Sequence, residues 1–579
     1  MRNTAIVLAS LLALAPSTAG LVAQTQTKPL SSDFGVSSRT GVVVSATGEA
    51  SDIGALILSI GGNAVDAAVA TAFALAVTHP TAGNIGGGGF MIVRAPDGRA
   101  TTFDYRERAP GKATPTMYLG ADGNIDRSLT ARGYLAPGVP GTVRGMAMAH
   151  AKFGKLPWKQ VVMPAADLAG KGWLMSGTLA RGLNSEVAGS MKAFPASVAA
   201  YGKPDGKPWA EGDLIKLPDL AKSLAAIADG PDAFYTGWIA DRIAEDMAAN
   251  GGLISKADLA AYKAAERAPV RGTFLGHEII SMPPPSSGGV ALIEMLNILE
   301  ELGIQKTQRG SAQAMHMVTE AMRRAFLDRA RFLGDPDFVQ VPVAKLTSKE
   351  HARDLVKGLS LTKATSSAEL GKDIITVPIP GESDETTHFS VLDKDGMAVT
   401  NTYTLEGGYG SHVVIKGTGI LLNNEMGDFN KKPGTTNLTG DIGTPANLIA
   451  PGKRMLSSMT PAIVLKDGKV LLLTGSPGGR TIINTVANVV LNVTAWGMVG
   501  REAVAAPRSD HEWMPDRLTI EANGVTDEVL NALKAMGHEV RTAGRQGSAH
   551  SIWVYPTTGT AYGIADPRDS TSKASKAEK

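Results

Sequence analysis

The sequence predicts an α+β chain: two stacked, mainly antiparallel sheets between helical layers, a four-layer αββα sandwich. Three observations carry this. Four segments read as β-hairpins around a turn: Phe90–Asp104, Thr386–Leu405, Ala462–Thr474 and Ser551–Ile564. Their strands run apolar on consecutive positions, as in Ala462-Ile463-Val464-Leu465 and Val470-Leu471-Leu472-Leu473. Such strands must be covered on both faces. Helical patterns dominate the rest of the chain and supply the outer cover.

The elements follow in order. Met1-Arg2-Asn3, an apolar run from Ala5 to Ala15 and Leu21-Val22-Ala23 read as a secretory signal peptide over 1–23, too short to span a bilayer. Ala50–Gly61 and Asn63–Thr78 read as two helices split by Gly61-Gly62, the second buried because it is small and apolar throughout. Residues 140–360 read as mostly helical, with a capping signal at Ser255-Lys256-Ala257-Asp258. The Ser-, Lys- and Ala-rich tail, 569–579, reads as disordered. No solenoid-length repeat is present.

Composition bounds the function. The 579 residues are 43% hydrophobic and 19% charged, as in a globular chain with a sizeable core. A formal charge of +2 gives no reason to expect nucleic acid or an acidic membrane. The absence of cysteine excludes thiol catalysis, disulfides and thiolate metal sites. The ten histidines are scattered, so no metal or cofactor is expected. There is no dinucleotide fingerprint, phosphate loop, serine elbow or zinc-protease helix.

Treating each turn as a two-residue hairpin sets neighbourhoods. Thr386 falls opposite Leu405, Thr387 opposite Thr404, Arg106 opposite Gly89, and Ser457 opposite Gly478. Each hairpin therefore brings two polar or glycine-rich stretches together at its open end. A Gly or Ser that merely ends a strand explains any one of them. Three hairpins doing so together point to a shared site.

Thr386 stands at the start of its strand. If the chain were cut before it, its hydroxyl would adjoin a free α-amine of pKa near roughly 7.7–8.0. One residue would then supply both nucleophile and base. Uncut, it is an ordinary strand threonine. His388 is near in sequence but has no partner that would make it a base, and His79 before Pro80 reads as structural.

The chain resembles γ-glutamyltranspeptidases, amino-terminal-nucleophile hydrolases, from about Gly48 to Arg568. The motifs are Gly61-Gly62-Asn63-Ala64-Val65-Asp66-Ala67-Ala68, Thr78-His79-Pro80 with Gly86–Gly89, and Asp104-Tyr105-Arg106-Glu107. Thr386-Thr387-His388-Phe389-Ser390, Leu421–Met426, Leu456-Ser457-Ser458-Met459 and Gly475-Ser476-Pro477-Gly478-Gly479 follow in order. The resemblance implies self-cleavage at Glu385-Thr386, giving a large subunit 24–385 and a small subunit 386–579 that stay together as a heterodimer. It implies Thr386 as nucleophile, Thr404 as its positioning residue, and Gly478 and Gly479 as oxyanion donors. Arg106, Ser457 and Ser458 would hold the donor's α-carboxylate, and Glu406, Glu425 and Asp428 its α-ammonium. Glutathione or another γ-glutamyl compound would be the donor. Water, an amino acid or a dipeptide would accept the γ-glutamyl group, in the periplasm or outside the cell, with no membrane anchor after signal cleavage.

Two departures stand out. Glu406 replaces the asparagine of many members. The segment 431–453 matches the family's lid but has no tyrosine over the pocket, with Thr439 near that place. Two rival readings are a cephalosporin or glutaryl acylase on the same scaffold and an unprocessed, non-enzymatic binding protein. The acids at 406, 425 and 428 argue against the first, because a glutaryl group has no ammonium.

Overall fold

The computed structural model describes residues 35–377, 385–437 and 445–578. The signal-peptide segment, the middle of the lid with Thr439, and the stretch just before Glu385 lie outside them. Two seven-stranded sheets form the centre. One runs edge to edge through Lys573–Lys576, Gly41–Ser45, Thr387–Asp393, Ala398–Thr404, Gly88–Arg94, Ala100–Asp104 and Ala265–Arg267. The other runs through Gly35–Ser38, Ala561–Ile564, Ser551–Val554, Lys469–Thr474, Ala462–Lys466, His277–Ser281 and Val270–Phe274. Neighbouring strands are antiparallel in both sheets.

Strand alternation builds the layers. Val42, Val44, Leu392, Ile463, Leu465 and Leu473 meet between the two sheets. Their neighbours Val43 and Val391 face a helical layer that includes Gly48–Ser59 and Ala64–Thr78. Ala462, Val464 and Leu472 face a second layer, with Gly288–Leu302, Ala312–Phe332 and Thr481–Thr494. Consecutive apolar residues thus serve different interfaces, which is why the strands lack a polar face. The helix Ala64–Thr78 is buried throughout, and Asn63 and Asp66 close a capping box at its start, worth about 1 kcal/mol.

The hairpins form where expected, but all three registers end one residue from the expected pairing. Thr387 pairs with Tyr403, and Phe90 with Asp104. Asp393 N donates to Met397 O, so this turn holds three residues, with Gly396 left-handed at φ 85°. A three-residue turn with glycine in that position shifts every pair by one. Asp467-Gly468 does form a two-residue turn with both φ positive, and a bulge between Val464 and Leu465 then moves the register.

Two further expectations are corrected. The stretch 140–360 is mostly helical but also contains five strands; three of them, Ala265–Arg267, Val270–Phe274 and His277–Ser281, complete one edge of each large sheet. Their turn is Leu275-Gly276 with φ 49° and 74°, and leucine carries no turn signal. The tail is not disordered over its described part: Lys573–Lys576 pairs with Gly41–Ser45. Lys573 Nζ lies 2.8 Å from both Asp52 carboxylate oxygens, and Thr40 Oγ1 donates to Ala577 O at 2.7 Å. Edge pairing uses backbone groups, so it needs none of the apolar content on which disorder is judged.

Candidate active site

Thr386 directly precedes the strand Thr387–Asp393, and Thr404 ends its partner strand. The shifted register carries Thr386 to Thr404 rather than to Leu405, and their hydroxyl oxygens lie 3.2 Å apart. Thr386 Oγ1 also touches the carbonyl oxygen of Glu385, and Thr404 Oγ1 lies 3.2 Å from that same oxygen. Glu406 N donates to Thr404 Oγ1 at 2.9 Å. Thr404 has one proton, and with Glu406 N–H occupying a lone pair that proton serves the Glu385 carbonyl. The chain turns sharply afterwards: Glu406 is left-handed, φ 76°.

Arg106 follows the strand Ala100–Asp104 and is completely buried. Its guanidinium meets Asp428, lies 2.6 Å from Glu425 Oε2 and 3.6 Å from Glu107 Oε2, and donates to Leu456 O at 3.1 Å. The 2.6 Å contact is off-axis, so Glu425 gains charge stabilisation there without a hydrogen bond. Burial disfavours the Arg106 charge, but Glu425, Asp428 and Glu107 more than offset it and raise the pKa. Burial pushes Glu107 up to about 8 against the pull of Arg106. It pushes Glu425 and Glu406 well above the carboxylate range, helped by Asp428. Four acids therefore crowd one arginine, and Glu406 Oε2 and both Glu107 oxygens lack hydrogen-bond donors among the described residues. An added ammonium would relieve that surplus.

Ser457 and Ser458 lie beside Arg106 on the wall of one small cavity. Ser458 Oγ accepts from Arg329 Nη2 at 3.0 Å, and Arg329 Nε donates to Ser287 Oγ at 2.9 Å. Arg329 was not among the expected residues. It sits in a helix with three other arginines, Arg323, Arg324 and Arg331, and nothing in the sequence marks which of them reaches the site. Asn447 was also missed: it donates to Asp428 O at 2.7 Å and accepts from Leu456 N at 2.9 Å. It ties the described end of the lid segment to the site.

Gly478 and Gly479 form a turn at φ 129° and 54°, just before the helix Thr481–Thr494. A side chain at Gly478 would come within 2.5 Å of Thr481 Oγ1. Among the described residues neither amide N–H has a hydrogen-bond partner. Unpaired N–H groups ahead of a helix start are the kind of donor that binds anions.

The cavity holding Arg106, Thr386, Thr404, Glu406, Asp428, Ser457, Ser458 and Gly479 has a volume of about 30 Å³, room for water only. Glu425 stands behind Arg106. Nine of the eleven expected residues, Glu385 among them, line this small cavity; Glu425 contacts Arg106, and Gly478 lines the neighbouring larger cavity. His388 shares none of it: its ring nitrogens reach Thr402 Oγ1 at 2.8 Å and Ser390 Oγ at 3.1 Å. Two buried groups elsewhere have donors for a cation, His316 with Glu320 and His538, and Glu294 with Asp328 and His351. In each, two of the three already bond one another at 2.7 Å, His316 with His538 and His351 with Asp328.

The family model described as gamma-glutamyltranspeptidase matches residues 50–575. The glutathione hydrolase proenzyme of Escherichia coli (strain K12) is 47% identical, covering 92% of this chain and 91% of its own length. The crystal structure of cephalosporin acylase from Bacillus halodurans aligns with a TM-score of 0.81 at 26% identity, covering 96% of this chain and 99% of that one. The γ-glutamyltranspeptidase of Helicobacter pylori is 43% identical, with a TM-score of 0.55 over 56% of this chain and 92% of that one.

Proposed function

The chain belongs to the γ-glutamyltranspeptidase family, and we infer that it is a self-processing γ-glutamyltransferase and glutathione hydrolase. The observation that carries this is the contact of the Thr386 hydroxyl with the Glu385 carbonyl, beside a buried arginine surrounded by acids. In processing, Thr386 Oγ1 attacks the Glu385 carbonyl carbon. The C–N bond breaks, which frees the Thr386 amine with the hydroxyl's proton and leaves an ester on Thr386 Oγ1; water then hydrolyses the ester to free the hydroxyl and the Glu385 carboxylate. Thr404 donates to the carbonyl oxygen as it gains charge. The products are a large subunit 24–385 and a small subunit 386–579. They stay together because each sheet draws strands from both.

In the cut enzyme the Thr386 amine takes the hydroxyl proton while the oxygen attacks the donor's γ-carbonyl. Gly478 and Gly479 N–H groups receive the oxyanion. Arg106, Ser457 and Ser458 hold the α-carboxylate, and Glu406, Glu425 and Asp428 hold the α-ammonium. The uncut site supports this assignment: the Arg106–Asp428 pair already joins the two charges that a donor zwitterion would separate. Water as acceptor completes hydrolysis, and an amino acid or dipeptide completes transfer. No described helix is long and apolar enough to cross a membrane. The signal-peptide pattern of residues 1–23 supports export to the periplasm or beyond.

The likeness to cephalosporin acylase keeps a second reading open to test. A denaturing gel of purified protein is expected to show two bands, and one uncut band for Thr386→Ala. The cut enzyme is expected to hydrolyse γ-glutamyl-anilide faster than glutaryl-anilide. Faster glutaryl cleavage would favour the acylase, and a persistent single wild-type band would refute self-processing.

A further inference from the structure

Arg329 is 3% exposed and lines the small cavity beside Thr386 and Arg106, yet neither the cutting nor the transfer step uses it. It stands near the end of the helix Ala312–Phe332. Its Nη2 donates to Ser458 Oγ at 3.0 Å and its Nε to Ser287 Oγ at 2.9 Å. Ser287 grips the same loop: its N–H and its hydroxyl both donate to Ser457 O, at 2.7 and 2.6 Å. Ser286 Oγ donates to Met459 O at 2.5 Å, and Ser457 N to Pro285 O at 3.0 Å. Pro285, Ser286, Ser287 and Arg329 therefore hold the serine loop in place. All four precede Glu385, so after cutting they would belong to the large subunit and the loop to the small one.

These bonds have only one possible direction. A guanidinium has five N–H donors and no acceptor, so both hydroxyls must accept from it. Ser287 passes its own proton to the Ser457 carbonyl. Ser458 has one proton, a lone pair occupied by Arg329, and no acceptor for that proton among the described residues. Thr460 Oγ1 donates to the Ser458 carbonyl at 2.8 Å, which fixes the backbone but not the hydroxyl. Ser458 belongs to the cavity wall, next to Arg106. Its proton is therefore left for an anion that enters the cavity. A hydroxyl that accepts from a cation is also a stronger donor, because the charge polarises it.

We propose that Arg329 positions Ser458 for the donor's α-carboxylate, holding the hydroxyl so that its proton points to the anion that Arg106 also binds. The inference rests on the γ-glutamyl-transfer reading and on the place it gives Ser458. Arg329 acts through that hydroxyl and needs no contact with the donor. Arg106 is already surrounded by Glu107, Glu425 and Asp428, so a carboxylate arriving there gains from a second cation one hydroxyl away. The contribution of Arg329 is therefore tied to donors that carry an α-carboxylate.

The test compares kcat/KM on γ-glutamyl-p-nitroanilide with that on 4-aminobutyryl-p-nitroanilide, the same donor without its α-carboxylate, in the cut enzyme. The variants are Arg329→Met, Arg329→Lys, Ser458→Ala, and Arg329→Met combined with Ser458→Ala. Arg329→Met and Ser458→Ala are each expected to lower the γ-glutamyl-to-4-aminobutyryl ratio about tenfold, the scale of one charge-assisted hydrogen bond. The double variant is expected to fall no further than the singles, because both changes remove one interaction. Arg329→Lys keeps the charge but loses the two-armed fork, and is expected to lower the ratio about threefold. It carries the test alone should the methionine variant fail to fold. An unchanged ratio in the Arg329 variants, whether from no loss or from equal loss on both donors, would overturn the proposal, as would additive losses in the double variant. If the wild type itself shows no preference for the γ-glutamyl anilide, the head-group reading fails first, and this one with it.

Discussion

The hydroxyl of Thr386 lies 3.2 Å from that of Thr404, and both reach the carbonyl oxygen of Glu385. Thr404 thus occupies the place of an oxyanion donor for the bond to be cut. Thr404→Val is expected to slow appearance of the two fragments on the order of 100-fold, the usual cost of one such donor. Thr404→Ser should cut at close to the normal rate. A gel time course reads both, and wild-type cutting in the valine variant would remove Thr404 from the reaction.

Arg106 is completely buried among Glu425, Asp428 and Glu107. Arg106→Gln strands those acids and is expected to cost about 3–5 kcal/mol of stability, seen as a lowered Tm. Arg106→Lys keeps the charge but loses the planar fork that grips a carboxylate. It should fold and cut, with KM for γ-glutamyl donors raised about tenfold or more. An unchanged donor KM in the lysine variant would contradict the head-group assignment.

The C-terminal strand Lys573–Lys576 covers the edge of Gly41–Ser45. Deleting residues 573–579 bares that edge and leaves Asp52 without Lys573. The truncated protein is expected to melt earlier and to self-associate. Thermal scans and light scattering check this; an unaltered melt would show that the pairing adds nothing.

His511 is buried, and burial lowers its pKa to about 4 although Asp516, 3.2 Å away, pulls it upward. Unfolded, the same ring takes its proton near 6.5. The unfolded chain therefore binds more protons between these values. The stability from the neutral ring is fully present above pH 6.5 and is lost as pH falls toward 4. His511→Gln is expected to flatten the fall in Tm between pH 6.5 and 4; an equal or steeper fall would refute this.

Hairpin positions were legible because turn chemistry is local, and Asp467-Gly468 formed the turn its residues call for. Register was less so. Asp395-Gly396 resembles Asp467-Gly468 in sequence but closes three residues, and that single residue moves Thr386 from Leu405 to Thr404. Arg329 and Asn447 were illegible, since a helix arginine and a loop asparagine acquire their roles only from what packs against them.

The sequence by itself determined the layered fold, and it pointed to the residues proposed here as nucleophile and head-group site. Apolar strand patterning and ordered motifs are properties of the chain, readable without coordinates. Tertiary structure alone decided which hydroxyl meets which carbonyl, and that the cavity beside Thr386 and Arg106 measures about 30 Å³. The reason is distance. Hydrogen bonds and buried ion pairs depend on tenths of an ångström between residues hundreds apart in sequence, such as Arg106 and Asp428, and no local pattern encodes that approach.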